Sequence, residues 1–181
     1  MPDSAFIIRK PSSISYAGTF ASVNEFGRVS FSGLTSLSLD GVFSSTYDNY
    51  MVLVRGNNAA GSVELRLRLR SSGTDNTTAS SYVSQAVSAT STTVTAFRDT
   101  QSYAVFSYTY ATQRVGYSCF LFGPNLTQPT AMRVVSVADD TSARIYDNAM
   151  THNQSTSYDG FTIYPASSTF TGAVAVYGCN Q

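Results

Sequence analysis

The residue pattern specifies an all-β chain, an antiparallel β-sandwich of jelly-roll type, and three features carry that expectation. Val63, Leu65, Leu67 and Leu69 alternate with Glu64, Arg66, Arg68 and Arg70. A period of two puts the two sets on opposite faces of a strand, whereas a helix would mix them. Similar short runs recur between turns such as Gly56-Asn57-Asn58, Ser72-Gly73-Thr74-Asp75-Asn76 and Asp139-Asp140, a spacing typical of sandwiches and barrels. Composition agrees, with 12 Tyr, 11 Phe and only 12% charged residues. Ser and Thr fill roughly a quarter of the chain, and charged residues about half their usual share. β-Branched and aromatic side chains suit a pleated, half-buried surface.

Taken in order, residues 1–17 read as an extended N-terminal arm and 18–181 as the sandwich domain. Pro2 and Pro11 disfavour helix at the residues before them. Phe6, Ile7 and Ile8 are followed by the basic tip Arg9-Lys10. Such an arm can grip a partner, or it can be a first edge strand. Val29 and Phe31, then Leu37 and Leu39, alternate with polar neighbours. Tyr50, Val52 and Val54 alternate with Met51, Leu53 and Arg55, apolar on both faces, which predicts a central strand. Further strands are expected over 82–87, 93–97, 103–110, 116–122, 131–137, 143–146, 161–164 and 173–177. A helical turn over 77–82 could be capped by Asp75 or Thr77. Tyr47-Asp48-Asn49-Tyr50 and Tyr158-Asp159-Gly160-Phe161 echo one another. Each gives a turn-forming Asp before an aromatic that opens a strand.

Chemical motifs are sparse. The sole histidine, His152, would have to serve any nucleophilic triad alone, and is otherwise read as a loop or interface hydrogen bonder. There is no Cys-x-x-Cys pair, Walker loop or nucleophile elbow. Cys119 and Cys179 lie in apolar runs and read as buried thiols, though a disulfide would need only proximity. Asp139-Asp140 with Asp147 could hold calcium or simply form a hairpin turn. Glu25 and Glu64 are the only glutamates, and Glu64 sits among arginines, a poor setting for a proton donor. No catalytic residue, metal or cofactor is expected.

Net charge is zero, which removes the electrostatic basis for nucleic-acid binding. No run approaches the roughly 18 apolar residues of a membrane helix, and no secretory signal opens the chain. Arg66, Arg68 and Arg70 form a stripe that could meet carboxylates of a partner or pair within the chain. The strand over 103–110, with aromatics on both faces, could contact sugar or simply pack in a sheet. The sites Asn76-Thr77-Thr78, Asn125-Leu126-Thr127 and Asn153-Gln154-Ser155 match the glycosylation pattern by chance.

Three segments carry a family likeness. They are residues 31–50, containing Tyr47-Asp48-Asn49-Tyr50, then Phe122-Gly123-Pro124-Asn125-Leu126-Thr127-Gln128-Pro129-Thr130, and residues 151–163 with the ending Gly178-Cys179-Asn180-Gln181. Together they resemble small virion structural proteins of tailed bacteriophages, over about residues 12–181. The resemblance implies a virion component made in the host cytoplasm, of capsid decoration, cement or head-fibre type. The alternative it allows is a tail fibre or tail knob that binds a host receptor or surface glycan. It further implies a homotrimer whose partners are phage capsid or tail proteins, with the arm (Phe6, Ile7, Ile8, Arg9) as the attachment element.

Overall fold

A computed structural model describes residues 6–111, 115–138 and 144–179. The strands are β1 (Phe6–Ile8), β2 (Ser13–Val23), β3 (Val29–Asp40), β4 (Asn49–Asn58), β5 (Val63–Ser71), β6 (Thr74–Asp75) and β7 (Tyr82–Thr90). They continue as β8 (Thr93–Gln101), β9 (Ala104–Thr109), β10 (Val115–Phe122), β11 (Thr130–Ala138), β12 (Arg144–His152), β13 (Gly160–Pro165) and β14 (Phe170–Cys179). Among the described residues there is no helix. Every pairing is antiparallel, and the strands form one curled sheet folded back on itself as a jelly-roll sandwich.

The fold has a corner at β3. Residues 29–34 of β3 pair with β14, and residues 37–39 pair with β13. The smaller layer is therefore β6, β5, β13 and the second half of β3, with β9 on the other edge of β5. The larger layer runs from the first half of β3 through β14, β4, β10, β11, β12 and β7 to β8. β2 follows β3 around the bend, with a register shift between Ala17 and Gly18. Strands commonly change sheets through such bulges. Gly18 and Gly33 meet at the bend with φ of +128° and +60°. A Cβ on Gly18 would lie 2.3 Å from the Gly33 carbonyl oxygen, so only glycine lets the two backbones approach this closely.

The core fills the space between the layers. Leu65, Leu67 and Leu69 of β5 and Phe161 and Ile163 of β13 face Val52 and Val54 of β4, Cys119 and Leu121 of β10 and Val134 of β11. Phe106 of β9 is fully buried and packs on Tyr117, ring centroids 5.8 Å apart. The aromatic strand over 103–110 is thus mainly core. β4 lies between β14 and β10, the central position its apolar pattern predicts. Cys119 is buried and Cys179 partly buried, and both are free thiols.

Three sequence expectations about the elements change, and one falls outside the described residues. The arm boundary at residue 17 falls inside β2, which runs to Val23. β2 is exposed on both faces over most of its length, and the bulge at Ala17-Gly18 breaks the alternation that Ile14 and Tyr16 begin. The helical turn over 77–82 is absent. Asn76 Oδ1 instead accepts from the Thr78 N–H at 3.0 Å in a side-chain turn. The strand expected over 143–146 continues to His152, because Tyr146, Asn148, Met150 and His152 all point inward. Residues 139–143, with the Asp139-Asp140 turn, lie outside the described residues.

His152 is therefore a core residue. Its ring stacks on Tyr82 with centroids 4.1 Å apart. Asn76 donates to the Tyr158 hydroxyl oxygen at 2.8 Å, which leaves that hydroxyl to donate to His152 Nε2 at 2.6 Å. Burial pushes the His152 pKa down to about 4, partly opposed by the Ser81 backbone.

Two outcomes are expected. Gly18→Ala forces a methyl against the Gly33 carbonyl, and should lower unfolding stability by about 3 kcal/mol in urea titration. A loss within the error of wild type would show that the corner relaxes. The second concerns pH. Unfolded, His152 takes up its proton near 6.5, before the folded protein does. Its contribution is complete above that pH and is lost as pH falls toward 4, by at most about 3 kcal/mol. Urea midpoints measured from pH 7 to 4.5 should fall in the wild type and fall less steeply in His152→Gln.

Candidate functional site

The arginine stripe on β5 turns inward on the molecule's own groups. Arg66 Nε sits 2.5 Å from Glu64 Oε2, and its guanidinium lies 4.0 Å above the Tyr103 ring. Arg68 donates to the Ser102 carbonyl at 3.2 Å and covers the Tyr164 ring at 5.0 Å. Burial raises the Tyr164 pKa to about 12 against the pull of these two cations. Arg70, its side chain only 10% exposed, bonds Asp40 at 2.8 Å and Asp75 at 2.5 Å, and also the Gly73 carbonyl. Thr162 accepts from Arg70 at 3.1 Å and donates to Asp75 at 2.6 Å, while Ser38 closes the chain at 2.8 Å from Thr162. Burial opposes the Arg70 charge, but hydrogen bonds and fields from Asp40 and Asp75 outweigh it. Such a satisfied network fixes one arrangement of β5, β13, β3 and β6.

These contacts leave Glu64, Asp40 and Asp75 poorly placed for glycoside cleavage, which needs one carboxyl that gives a proton and another that attacks or activates water. Glu64 is tied to Arg66, and Asp40 and Asp75 share Arg70. Glu25 lies in the exposed turn between β2 and β3. Among the described residues, no group of three or more His, Cys, Asp or Glu is placed to hold a metal ion.

The opposite surface is the outer face of the larger layer, and register assembles it. Directly paired residues share a face. One row runs Ile8, Tyr177, Met51, Phe120, Arg133, Ala149, Gln85, Arg98. The next runs Ala175, Leu53, Ser118, Val135, Asp147, Val87, Ala96, and a third Ala173, Arg55, Gly116, Val137, Ile145, Ala89, Val94. Val94 is 70% exposed, Val137 60% and Ile145 55%. Leu53, Val87 and Phe122 are also exposed. The arm joins here. β1 pairs with β14 at Cys179, Gly178 and Tyr177, which adds Phe6 and Ile8 to this face. Arg9 donates to Ser44 at 3.3 Å and covers the Tyr47 ring at 5.4 Å, so it anchors β1 to its own domain. Ile7, also exposed, faces the other way.

Charge on this face is one-sided. Arg133 and Asp147 pair at 2.7 Å, which lowers the Asp147 pKa. Arg28, Arg55 and Arg98 have no ion-pair partner among the described residues. Arg28 and Arg55 share a trough of about 270 Å³ with Leu53, Ala173, Ala175 and Tyr177. An adjoining hollow of about 140 Å³ adds Asn57, Thr171 and Gly172. Neither has an acidic wall residue.

Thus the fold brings Phe6 and Ile8 to the outer face and takes Arg9, Arg66, Arg68 and Arg70 into contacts within the chain. Sequence reasoning missed Arg28 and Arg55. They lie 27 positions apart, and only the flanking of β14 by β3 and β4 joins them.

No family model matches this chain, and no curated protein matches it. Among solved structures it is similar to a β-glucanase from Bacillus licheniformis at 10% identity and a TM-score of 0.30, covering 98% of this chain and 100% of that one. The laminarinase catalytic domain from Thermotoga maritima gives 9% identity and a TM-score of 0.25, with 93% of this chain and 78% of that one covered. The carbohydrate-binding module CBM35 from Paenibacillus barcinonensis gives 10% and 0.20, over 89% and 93%.

The two arginine environments predict opposite mutational outcomes. Arg70→Ala leaves two carboxylates without their shared cation and should cost about 3–5 kcal/mol in denaturant unfolding. Arg133→Ala removes an exposed pair and should leave the melting transition essentially where it is. A small effect for Arg70→Ala would show that water replaces the guanidinium.

Proposed function

We propose that this chain is a structural subunit of a tailed bacteriophage particle, of capsid decoration, cement or head-fibre type, and not an enzyme. The observation that carries the reading is the outer face of the larger layer, where Phe122 of β10, Val137 of β11, Ile145 of β12, Val87 of β7 and Val94 of β8 are all exposed. Large apolar side chains exposed on one sheet face of a folded domain mark a place where another protein can sit. The three sequence segments that resemble phage virion proteins supply the kind of partner, namely capsid subunits and further copies of this chain. The near-neutral composition favours it too, since little net charge keeps copies apart.

In this reading β1 is an attachment element already laid against its own sheet. Phe6 and Ile8 extend the docking face, and Arg9 holds them in place. Closed cyclic association, as a trimer, covers sheet edges such as that of β8 and leaves no open template for further strand addition.

Intact particles labelled with antibody raised against this chain should carry label on the head, at regular spacing. Label confined to the tail would support the tail-fibre alternative, and unlabelled particles would sink the assignment. Deleting residues 1–12 removes β1 and should leave a folded chain that no longer binds particles. If the truncated chain still decorates them, β1 is not the attachment element. Sedimentation of the full chain should give a multiple of its 19.4 kDa mass, and a monomer at every concentration would count against the trimer.

A further inference from the structure

We propose that the trough between Arg28 and Arg55 is a binding site for a carboxylate-bearing saccharide chain. The inference stands apart from where on a particle the protein sits. It concerns the β3 end of the outer face, away from the exposed valines and Ile145 of β11, β12, β7 and β8.

The site is built by β14. That strand is flanked by β3 on one side and β4 on the other. Its outward residues here are small, Ala173 and Ala175, so they form a floor. Arg28, at the entrance to β3, rises on one wall, and Arg55 of β4 rises on the other. Flanking strands lie about 10 Å apart across the middle one, so two guanidinium groups can reach over the floor toward one ligand. Both side chains are exposed, and neither makes a side-chain hydrogen bond or ion pair with any described residue. In a chain whose other strand-face arginines are mostly engaged, two idle cations over one trough form a ready anion receptor. The planar guanidinium fork matches a carboxylate with two parallel hydrogen bonds.

The rest of the trough selects the carrier. Tyr177 and Leu53 give one end an aromatic and apolar wall, which suits the C–H faces of a pyranose ring. At the other end Asn57, whose amide nitrogen donates to the Ala111 carbonyl at 3.1 Å, offers its Oδ1, and Thr171, whose hydroxyl accepts from the Gly33 N–H at 3.0 Å, offers a proton, and both suit sugar hydroxyls. From Thr171 to Tyr177 the floor extends about 20 Å at strand spacing, room for several linked sugars. An acidic peptide fits less well. The trough lies on a sheet face, where strand backbone groups are already paired, so an extended peptide would find no partners for its own amides. A saccharide has no amide ladder to satisfy.

The test is calorimetric titration of the full chain with α-1,4-linked hexagalacturonate. Its fully methyl-esterified form, hexaglutamate and inorganic phosphate serve as comparison ligands. Hexagalacturonate should bind, with affinity that falls as salt rises. The ester, hexaglutamate and phosphate should each bind at least about tenfold more weakly. Arg28→Ala and Arg55→Ala should each weaken hexagalacturonate binding about tenfold, and Arg55→Lys should restore only part of it, because the fork is lost. Both residues are exposed and unpaired among the described residues, so all three variants should melt with the wild type. No binding of hexagalacturonate overturns the proposal, as does binding unchanged in the arginine variants. Equal binding of the ester would show that the carboxylates are not read. Equal binding of hexaglutamate or phosphate would show a general anion site, with no saccharide preference.

Discussion

A pleated sheet has two faces, and here the second layer covers only one face of the larger sheet. That geometric fact governs the rest of the molecule. β14, β4, β10, β11 and β12 all bury one alternating set of side chains against the smaller layer and β9. The opposite set must then face outward, whatever its chemistry. In a domain that works alone, that set would be polar and charged. Here it includes Leu53, Val87, Val94, Val137 and Ile145. The apolar residues are therefore not a packing accident at one loop. They stand at outward positions on five different strands, and register brings Val137 and Ile145 side by side in one row.

The corner at β3 makes this arrangement possible. Because β3 serves both layers, the smaller layer hangs from one end of the larger one and folds back over its middle. Gly18 and Gly33 permit the bend, and the Arg70 network then ties β5, β13, β3 and β6 together near it. Two half-buried carboxylates and one buried guanidinium are costly to desolvate, so the network gives this region a single arrangement more than it gives net stability. Near the other end of β5, Glu64 and Tyr103 hold Arg66. The cationic stripe that looks outward in the sequence is spent on fastening the strands of the smaller layer to one another, and the outer face of the larger layer keeps only Arg28, Arg55, Arg98 and Arg133.

Much of the architecture was legible because alternation is a local signal. The run of leucines in β5 and the double-sided apolar pattern of β4 each identify a strand and its place in the sheet. β2 was hidden for a physical reason: it is exposed over most of its length, and the bulge at Ala17-Gly18 shifts its inward set from Ile14 to Ala21 and Val23, so no single period of two runs through it. His152 was hidden because its inward neighbours Asn148 and Tyr146 are polar, so period two was present but not as an apolar pattern. Both Tyr-Asp corners open strands, β4 at Asn49 and β13 at Gly160. Their meeting point was not visible. Asp48 accepts from the Gly123 N–H at 2.8 Å, and Tyr158 donates its N–H to Pro124 at 2.8 Å, so both corners brace the one turn that follows β10. Pairings between distant strands of this kind, and the Arg28–Arg55 trough with them, depend on sheet order, which no local pattern encodes.

Hydroxyl-radical footprinting read by mass spectrometry addresses the uncovered face most directly, by comparing the isolated chain with the chain in its native assembly. Val87, Phe122, Val137 and Ile145 should label readily in the isolated chain and lose most of that labelling on assembly, while Tyr16 and Phe20 on β2 keep theirs. Labelling of the outer-face residues that is unchanged by assembly would mean that no partner covers the face, and the central claim would fall.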